Sequence, residues 1–250
     1  MKPTIRLLLL TSLPLALACA SLGWVNRVHS DSAAVVRWKS VPDLPRELVL
    51  LDSVFWEPLD TESLRKLIRE QPQLVRGKSV LEIGTGSGLI ALCCREAGAE
   101  TVVATDINPQ AIECAAANAR RMGHRVDIRS VDESDSRAFA VLAEHEKFDL
   151  IVSNPPWEDD MPNAWADYAL YDPGFELLRS IMQDCRDHLR PGGRVLLAYG
   201  CVQAIRAARR MAPEMDMQVL ILDERDPDSL PDLFLPGMLL GFIPNPTVGE

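Results

Sequence analysis

The stretch Val80-Leu-Glu-Ile-Gly-Thr-Gly-Ser-Gly88 decides the reading of this chain. Val80, Leu81 and Ile83 are strand formers, glycine then recurs at 84, 86 and 88, and a helix is expected from Leu89. Glycine takes a positive φ without steric cost and carries no Cβ, so the chain can turn sharply here and a ligand can approach its backbone. The first N–H groups of the following helix would point at that ligand. The spacing is G-x-G-x-G and not the G-x-G-x-x-G of the dinucleotide fingerprint, which argues against a nicotinamide oxidoreductase. Glu82, two residues before the first glycine, suits a ligand with a cationic amino group better than a pyrophosphate. Taken alone, the glycines fit a turn without a ligand equally well.

Downstream, strands and helices alternate. A helix over about 88–97 has Leu89, Ile90, Leu92 and Cys93 on its apolar face and ends at Gly98. Thr101–Asp106 reads as a second strand, and Pro109 opens a helix that runs to Met122. Val126–Val131 and Phe148–Ser153 read as the third and fourth strands, followed by a helix over 175–189. Pro191-Gly-Gly193 turns into a fifth strand over 194–199. A helix over 202–211 and strands near 217–222 and 238–243 complete the chain. This order predicts a Rossmann-like, doubly wound α/β fold with a mostly parallel seven-stranded sheet covered on both faces. Such sheets bind ligands beyond the carboxyl ends of their strands. The glycine turn, Asp106, Asp132 and Asn154 all fall at such ends. Asp106 lies 106 − 88 = 18 residues past the last glycine, near the ~20 at which an acid meets a ribose diol. Singly, Asp106 also reads as a cap for the helix at Pro109, and Asp132 as a solvated loop acid.

The 250 residues leave room for one α/β domain with short extensions, and 47% hydrophobic residues supply its core. A net charge of −10 disfavours broad attraction to a phosphate backbone. The six cysteines show neither metal-ligand spacing nor a disulfide framework and read as small buried hydrophobes in a reducing compartment. Lys2 and Arg6 precede an uncharged run from Leu7 to Val25, so residues 1–25 read as a signal peptide or membrane anchor, unless the start codon is misplaced. Residues 26–52, with Pro42 and Pro45, read as a linker, and 53–250 as the catalytic domain. Asp60-Thr61 is expected to cap a helix carrying Leu64, Leu67 and Ile68.

The fourth strand runs into Asn154-Pro155-Pro156-Trp157. The two prolines fix the backbone and remove two donors, leaving their carbonyls to accept. Asn154 offers a side-chain carbonyl beside them and Trp157 a flat apolar face. A planar –NH2 group fits this set, its two N–H bonds going to the Asn154 oxygen and the Pro155 carbonyl while its π system stacks on the indole. Those bonds draw the lone pair out of conjugation and aim it at an electrophile. A rigid exit turn with an aromatic plug accounts for the motif equally well in isolation.

V-L-E-I-G-T-G-S-G, the acid in A-T-D-I-N-P, and S-N-P-P-W together resemble the class I S-adenosylmethionine-dependent methyltransferases. Within them the chain is similar to the HemK-type N-methyltransferases, which modify glutamine amides of release factors and related proteins. The N-P-P-aromatic motif also occurs in amino-methyltransferases of adenine or guanine. The likeness covers about residues 54–200. It includes Thr61-Glu62, matching the end of a P-R-P-E-T-E segment, and Ala169–Glu176, which partly keeps an A-L-x-G-G-x-D-G-L segment. Glu57-Pro58 replaces the P-R of the first segment, tryptophan stands where tyrosine is usual, and the family's helical N-terminal substrate domain is replaced by the leader and linker. The resemblance implies S-adenosyl-L-methionine as cofactor and no metal. Glu82 and the loop Gly84, Thr85, Gly86 and Gly88 would hold its methionine part. Asp106, with Ile107 beside it, would take the ribose, and Asp132 the adenine amino group. Asn154, Pro155, Pro156 and Trp157 would hold the acceptor nitrogen, with Asn154 also facing the cofactor.

The expected reaction is methyl transfer to a planar amino or amide nitrogen, with a protein glutamine as the favoured acceptor and an RNA or DNA base as the alternative. The loop after Trp157, with Glu158, Asp159, Asp160, Asp167 and Asp172 and no lysine or arginine before Arg179, is expected to form an acidic lip of the acceptor site. Trp165, Tyr168 and Tyr171 would add contact surface for a polypeptide. The domain is expected to sit on the cytoplasmic side of a membrane, tethered through residues 1–25, with a soluble cytoplasmic or exported protein as alternatives.

Overall fold

A computed structural model of the chain describes residues 35–245; the leader 1–25 and Cys19 lie outside the described residues. The strands are β1 (Val35–Lys39), β2 (Leu48–Leu51), β3 (Ser79–Ile83), β4 (Thr101–Asp106), β5 (Asp127–Ser130), β6 (Phe148–Ser153), β7 (Leu189–Cys201), β8 (Met217–Ile221) and β9 (Leu233–Pro244). The α-helices are α1 (Glu62–Glu70), α2 (Leu89–Glu96), α3 (Pro109–Met122), α4 (Glu176–His188) and α5 (Val202–Glu214). Seven strands form one sheet in the order β5-β4-β3-β6-β7-β9-β8. The first five are parallel, and β9 runs antiparallel between β7 and β8. The Rossmann-like, doubly wound class I methyltransferase fold expected from the sequence is therefore present.

Both faces of the sheet are covered, and the central strands are apolar on both sides for that reason. Leu81 and Ile83 of β3 pack with Ile151, Leu178, Ile181 and Ile205 in one layer. Val80 points the other way and packs with Val102, Leu150, Leu64, Ile68 and Ile90. Residues of a strand alternate between faces, so β3 stitches both layers together. Fully burying each such Leu, Ile or Val is worth roughly 1.5–3 kcal/mol.

The chain runs outward from β3 through β4 to β5 and then returns to lay β6 on the other side of β3. The crevice at this reversal is where a doubly wound sheet holds its ligand. Register fixes what meets there. Ile83 is paired with Thr105 on one side and Ser153 on the other. The residues one step beyond that line are Gly84, Asp106 and Asn154.

Four expectations need correction. Residues 35–51, part of the stretch read as a linker, form an antiparallel ribbon of β1 and β2, with Leu48, Val49, Leu50 and Leu51 all buried. Asn118, fully buried on α3, holds the ribbon: Oδ1 accepts from the Val49 N–H at 2.8 Å and Nδ2 donates to the Val49 carbonyl at 2.9 Å. Thr61 does precede α1 but makes no side-chain cap bond, while Glu57 caps the one-turn helix Pro58–Thr61 by accepting from the Leu59 N–H. Arg190–Gly193 is an excursion within β7 and not a separate turn, since Phe148 and Leu150 pair with Leu189 and Arg194. The N-cap of α3 is Asn108, not Asp106, because its Oδ1 accepts from the Gln110 N–H at 2.9 Å.

Candidate active site

The glycine turn is tied down on both sides. The N–H groups of Gly84 and Thr85 both donate to the Thr105 carbonyl at 2.9 Å. Ser153 Oγ donates to the Ile83 carbonyl at 2.6 Å. The three glycines have positive φ, at 72°, 54° and 82° for Gly84, Gly86 and Gly88. Their reasons differ. A Cβ on Gly84 or Gly86 would meet nothing within 4 Å, so both present bare backbone to open space. A Cβ on Gly88 would lie 3.2 Å from the Ala115 Cα, so Gly88 lets α2 pack on α3 and does not line the cavity.

A cavity of about 360 Å³ opens over this turn. Of the residues singled out in the sequence, Glu82, Gly84, Thr85, Gly86, Asp106, Ile107, Asn154, Pro155 and Pro156 line it. Glu82 is buried, and both of its hydrogen bonds arrive on Oε2, from Thr85 Oγ1 at 2.6 Å and the Ala91 N–H at 3.0 Å. Oε1 makes no hydrogen bond to the described residues. Burial pushes this carboxyl up to about 8, against the two hydrogen bonds, with Asp106 adding a smaller upward push. A cationic ammonium in the cavity would restore its charge. Asp106 accepts from the Gly86 N–H through Oδ2 and from the Asn108 N–H through Oδ1, both at 2.8 Å. Burial raises its value too, and these backbone bonds oppose the rise. Each oxygen keeps a further lone pair able to accept.

Two expected residues stand apart. Asp132 is exposed and outside the cavity lining, its Oδ1 turned back on the Ser134 N–H at 2.8 Å and Ser134 Oγ at 2.6 Å. Those bonds hold its value down. The cavity wall at that end is built by Val131 and Ser136–Ala138. Trp157 also lies outside this cavity. Its indole is wedged beside Gly200, where a Cβ would come within 2.3 Å of Cζ3. Nε1 donates to the Ala198 carbonyl at 3.2 Å and to Asn154 Oδ1 at 3.3 Å.

Trp157 instead faces a second cavity of about 450 Å³, lined also by Phe55, Asp60, Asn154, Glu158, Ala169, Leu170 and Leu233–Leu235. Asn154, Phe55 and Ala169 border both cavities. The two spaces therefore meet at the Asn154 amide.

The loop after Trp157 borders the cavity over the glycine turn, through Met161, Pro162, Trp165, Tyr168 and Tyr171. Its acids are mostly occupied as braces. Asp167 accepts from the N–H groups of Asn163 and Ala164, Asp159 from Gly174, Asp160 from Met161, and buried Asp172 from Leu177 and Leu178. Glu158 alone among the five makes no side-chain hydrogen bond to the described residues. Tyr168 reaches across to Glu133 at 2.8 Å. Sequence reasoning missed the wall Ser53–Pro58, which is anchored by Asn108 Nδ2 donating to the Ser53 carbonyl at 3.1 Å. The asparagine of A-T-D-I-N-P was the available sign of it. No cluster of metal-ligating side chains occurs among the described residues.

Comparisons with known proteins agree with this geometry. The model of the methyltransferase small domain family matches residues 53–212. The release factor glutamine methyltransferase of Cereibacter sphaeroides is 34% identical over 162 residues, covering 59% of this chain and 56% of that protein. The chain spans 56–61% of the length of the first curated relatives it matches. Among solved structures, a ribosomal protein L11 methylase from Lactobacillus delbrueckii subsp. bulgaricus superposes with a TM-score of 0.57 at 21% identity, over 79% of this chain and 84% of that one. A T. Thermophilus 16S rRNA N2 G1207 methyltransferase in complex with AdoMet and guanosine gives 0.57 at 19% identity, over 84% of this chain and 50% of that one. With the glycine turn, the acid after β4 and N-P-P-W all inside the matched span, this chain belongs to the methyltransferase small domain family.

Proposed function

We propose that this chain is an S-adenosyl-L-methionine-dependent N-methyltransferase whose acceptor is a glutamine amide of a protein. The observation that carries this reading is the meeting of the two cavities at Asn154. The cavity over the glycine turn suits the cofactor: Glu82 Oε1 would take its ammonium, the bare backbone of Gly84 and Gly86 would allow close approach, and Asp106 would take the ribose beside Ile107. Asp132 would have to release Ser134 before it could reach an adenine. The cofactor supplies an electrophilic methyl group on a sulfonium sulfur. Asn154 Oδ1 and the Pro155 carbonyl accept the two N–H bonds of the acceptor and turn its lone pair toward the cofactor cavity, so proximity and orientation supply most of the rate. A cavity bordered by Asp60 and Glu158 favours a neutral amide over a polyphosphate chain, and the names of the relatives, release factor glutamine methyltransferases, support glutamine in the same sense.

Transfer of labelled methyl from S-adenosylmethionine into a fractionated lysate tests this. Label is expected in protein and resistant to nuclease. Label recovered in nucleic acid would replace the acceptor with a base amino group. The apolar run Leu7–Val25 extends the proposal to a membrane tether with the domain in the cytoplasm. Digestion of the domain by protease added outside intact cells would refute that topology.

A further inference from the structure

Asp60 is 4% exposed and borders the second cavity with Asn154 and Trp157. It is held there by β9, which passes so close that a Cβ on Gly237 would come within 2.3 Å of the Asp60 carbonyl oxygen. Among the described residues no lysine or arginine pairs with its carboxylate; the polar side chain lying against it is Asn154. On its other side, Asn154 Oδ1 accepts from Trp157 Nε1. An indole N–H can only donate and an ionised carboxylate can only accept. The two neighbours therefore agree on one orientation of the amide, Oδ1 toward the indole and Nδ2 toward Asp60.

We propose that Asp60 is a positioning residue of the acceptor site, holding Nδ2 of Asn154 so that Oδ1 is the atom offered to the acceptor –NH2. This rests on the methyltransferase reading above. With the amide flipped, Nδ2 would face the acceptor's own N–H bonds, donor against donor, and the acceptor nitrogen would lose one of its two anchors. The constraint depends on charge. Burial, then the neighbouring Glu57, push the Asp60 carboxyl up to about 7, and Asn154 opposes them. The other charged groups around it are Glu158 across the cavity and Arg65 on α1, whose guanidinium is taken by Asp43, Thr61 and the Pro58 carbonyl. The β9 segment Leu233–Pro244 brings no titratable side chain. Below about pH 7 Asp60 gains a proton, becomes able to donate to Oδ1, and no longer selects one orientation.

The test uses the full chain and two readouts. The first is the rate of methyl labelling of lysate protein between about pH 5.5 and 9 at saturating S-adenosylmethionine, which keeps the protonation of Glu82 out of the profile, with S-adenosylhomocysteine affinity measured alongside. The wild-type rate is expected to fall on the acid side near pH 7. Asp60→Asn should lower the rate about ten- to hundredfold, the size of a lost hydrogen bond to a charged group, with cofactor affinity kept and the acid limb gone. Asp60→Glu should recover part of the rate together with the limb. The second readout needs no acceptor: the indole N–H resonance of Trp157, assigned with Trp157→Phe, should shift with pH near 7 in wild type and stay flat in Asp60→Asn. An unchanged limb in Asp60→Asn, or an indole resonance that does not titrate in wild type, overturns the role. Absence of any labelled protein with a titrating indole overturns the protein-acceptor reading and leaves the orientation of the Asn154 amide by Asp60 standing.

Discussion

Asp106 Oδ2 accepts a hydrogen bond from the Gly86 N–H at 2.8 Å, tying the end of β4 to the turn that follows β3. The same carboxylate is the one expected to meet the ribose, so ligand and loop share a single anchor. Asp106→Ala removes both. It should weaken S-adenosylhomocysteine binding by ~1.5–3 kcal/mol, or about ten- to hundredfold, with the sheet intact. Calorimetric titration gives the number, and an unchanged dissociation constant would remove Asp106 from the site.

Glu82 gives the site a pH dependence of its own. Its folded value of about 8 lies above the unfolded 4.5, so between them the folded chain holds a proton that the unfolded chain has lost. The stability this contributes is complete below about pH 4.5 and is lost as pH rises through about 8. Affinity for a ligand ammonium runs the other way, because that ligand needs the ionised carboxylate. S-adenosylhomocysteine should bind roughly tenfold more tightly per pH unit on approaching pH 8, releasing a proton as it binds. Glu82→Gln should flatten the curve. Equal affinity at about pH 6.5 and 8 in the wild type would show that no ammonium sits on Glu82.

The three glycines should separate by what their substitution damages. All three lie at positive φ, so alanine costs each ~1–2 kcal/mol of backbone strain. Gly88→Ala adds a methyl 3.2 Å from the Ala115 Cα and should cost ~1–3 kcal/mol more, read as the larger drop in thermal midpoint. Gly84→Ala and Gly86→Ala push their methyl into the cavity and should show the larger loss of cofactor affinity relative to stability. If Gly88→Ala instead shows the larger affinity loss, the assignment of Gly88 to helix packing fails.

Much of this was legible because the determining residues are close in sequence. The apolar run of β3, its glycines and N-P-P-W carry their conformations locally, and strand–helix alternation then brings Gly84, Asp106 and Asn154 to one crevice. What escaped depends on distant partners. Leu48–Leu51 is buried throughout and shows no alternation to mark a strand, and its backbone is satisfied by Asn118 on a helix far along the chain. Trp157 reads as an acceptor platform, but the sequence does not show that Gly200 and Gly237 make room for its indole beside β7 and β9. Asp132 stands at the right strand end, yet Ser134 two residues on takes its carboxylate, a local competition that spacing does not reveal.

Asn154→Ala should abolish methyl transfer while S-adenosylhomocysteine affinity changes by less than about threefold, because the amide faces the junction between the cavities and Glu82 and Asp106 remain in place. The measurement pairs labelled-methyl incorporation with calorimetry on the same preparation. A variant that still transfers at a comparable rate would reduce N-P-P-W to a rigid turn. A parallel loss of cofactor affinity would move Asn154 from the acceptor to the cofactor.

Asn118 supplies the last prediction, and it concerns stability alone. Its amide closes two hydrogen bonds with Val49, and Nδ2 also donates to the Ser87 carbonyl at 2.9 Å, so one buried side chain joins the β1–β2 ribbon, α3 and the glycine turn. Asn118→Ala takes the side-chain partner from the Val49 N–H and the Ser87 carbonyl in a dry interior, while the Val49 carbonyl keeps only the weak Cys114 thiol donor at 3.1 Å. Each buried orphan costs ~1–3 kcal/mol, so the variant should lose several kcal/mol, with the ribbon opening first. Hydrogen exchange should find Val49 and its neighbours on β2 deprotected ahead of β3 and β6. Asn118→Asp keeps an acceptor for the Val49 N–H but sets a buried charge against two carbonyls, and it should be at least as destabilised. A loss under about 1 kcal/mol in Asn118→Ala, with protection at Val49 unchanged, would mean that apolar packing of Leu48, Leu50 and Leu51 holds the ribbon without the amide.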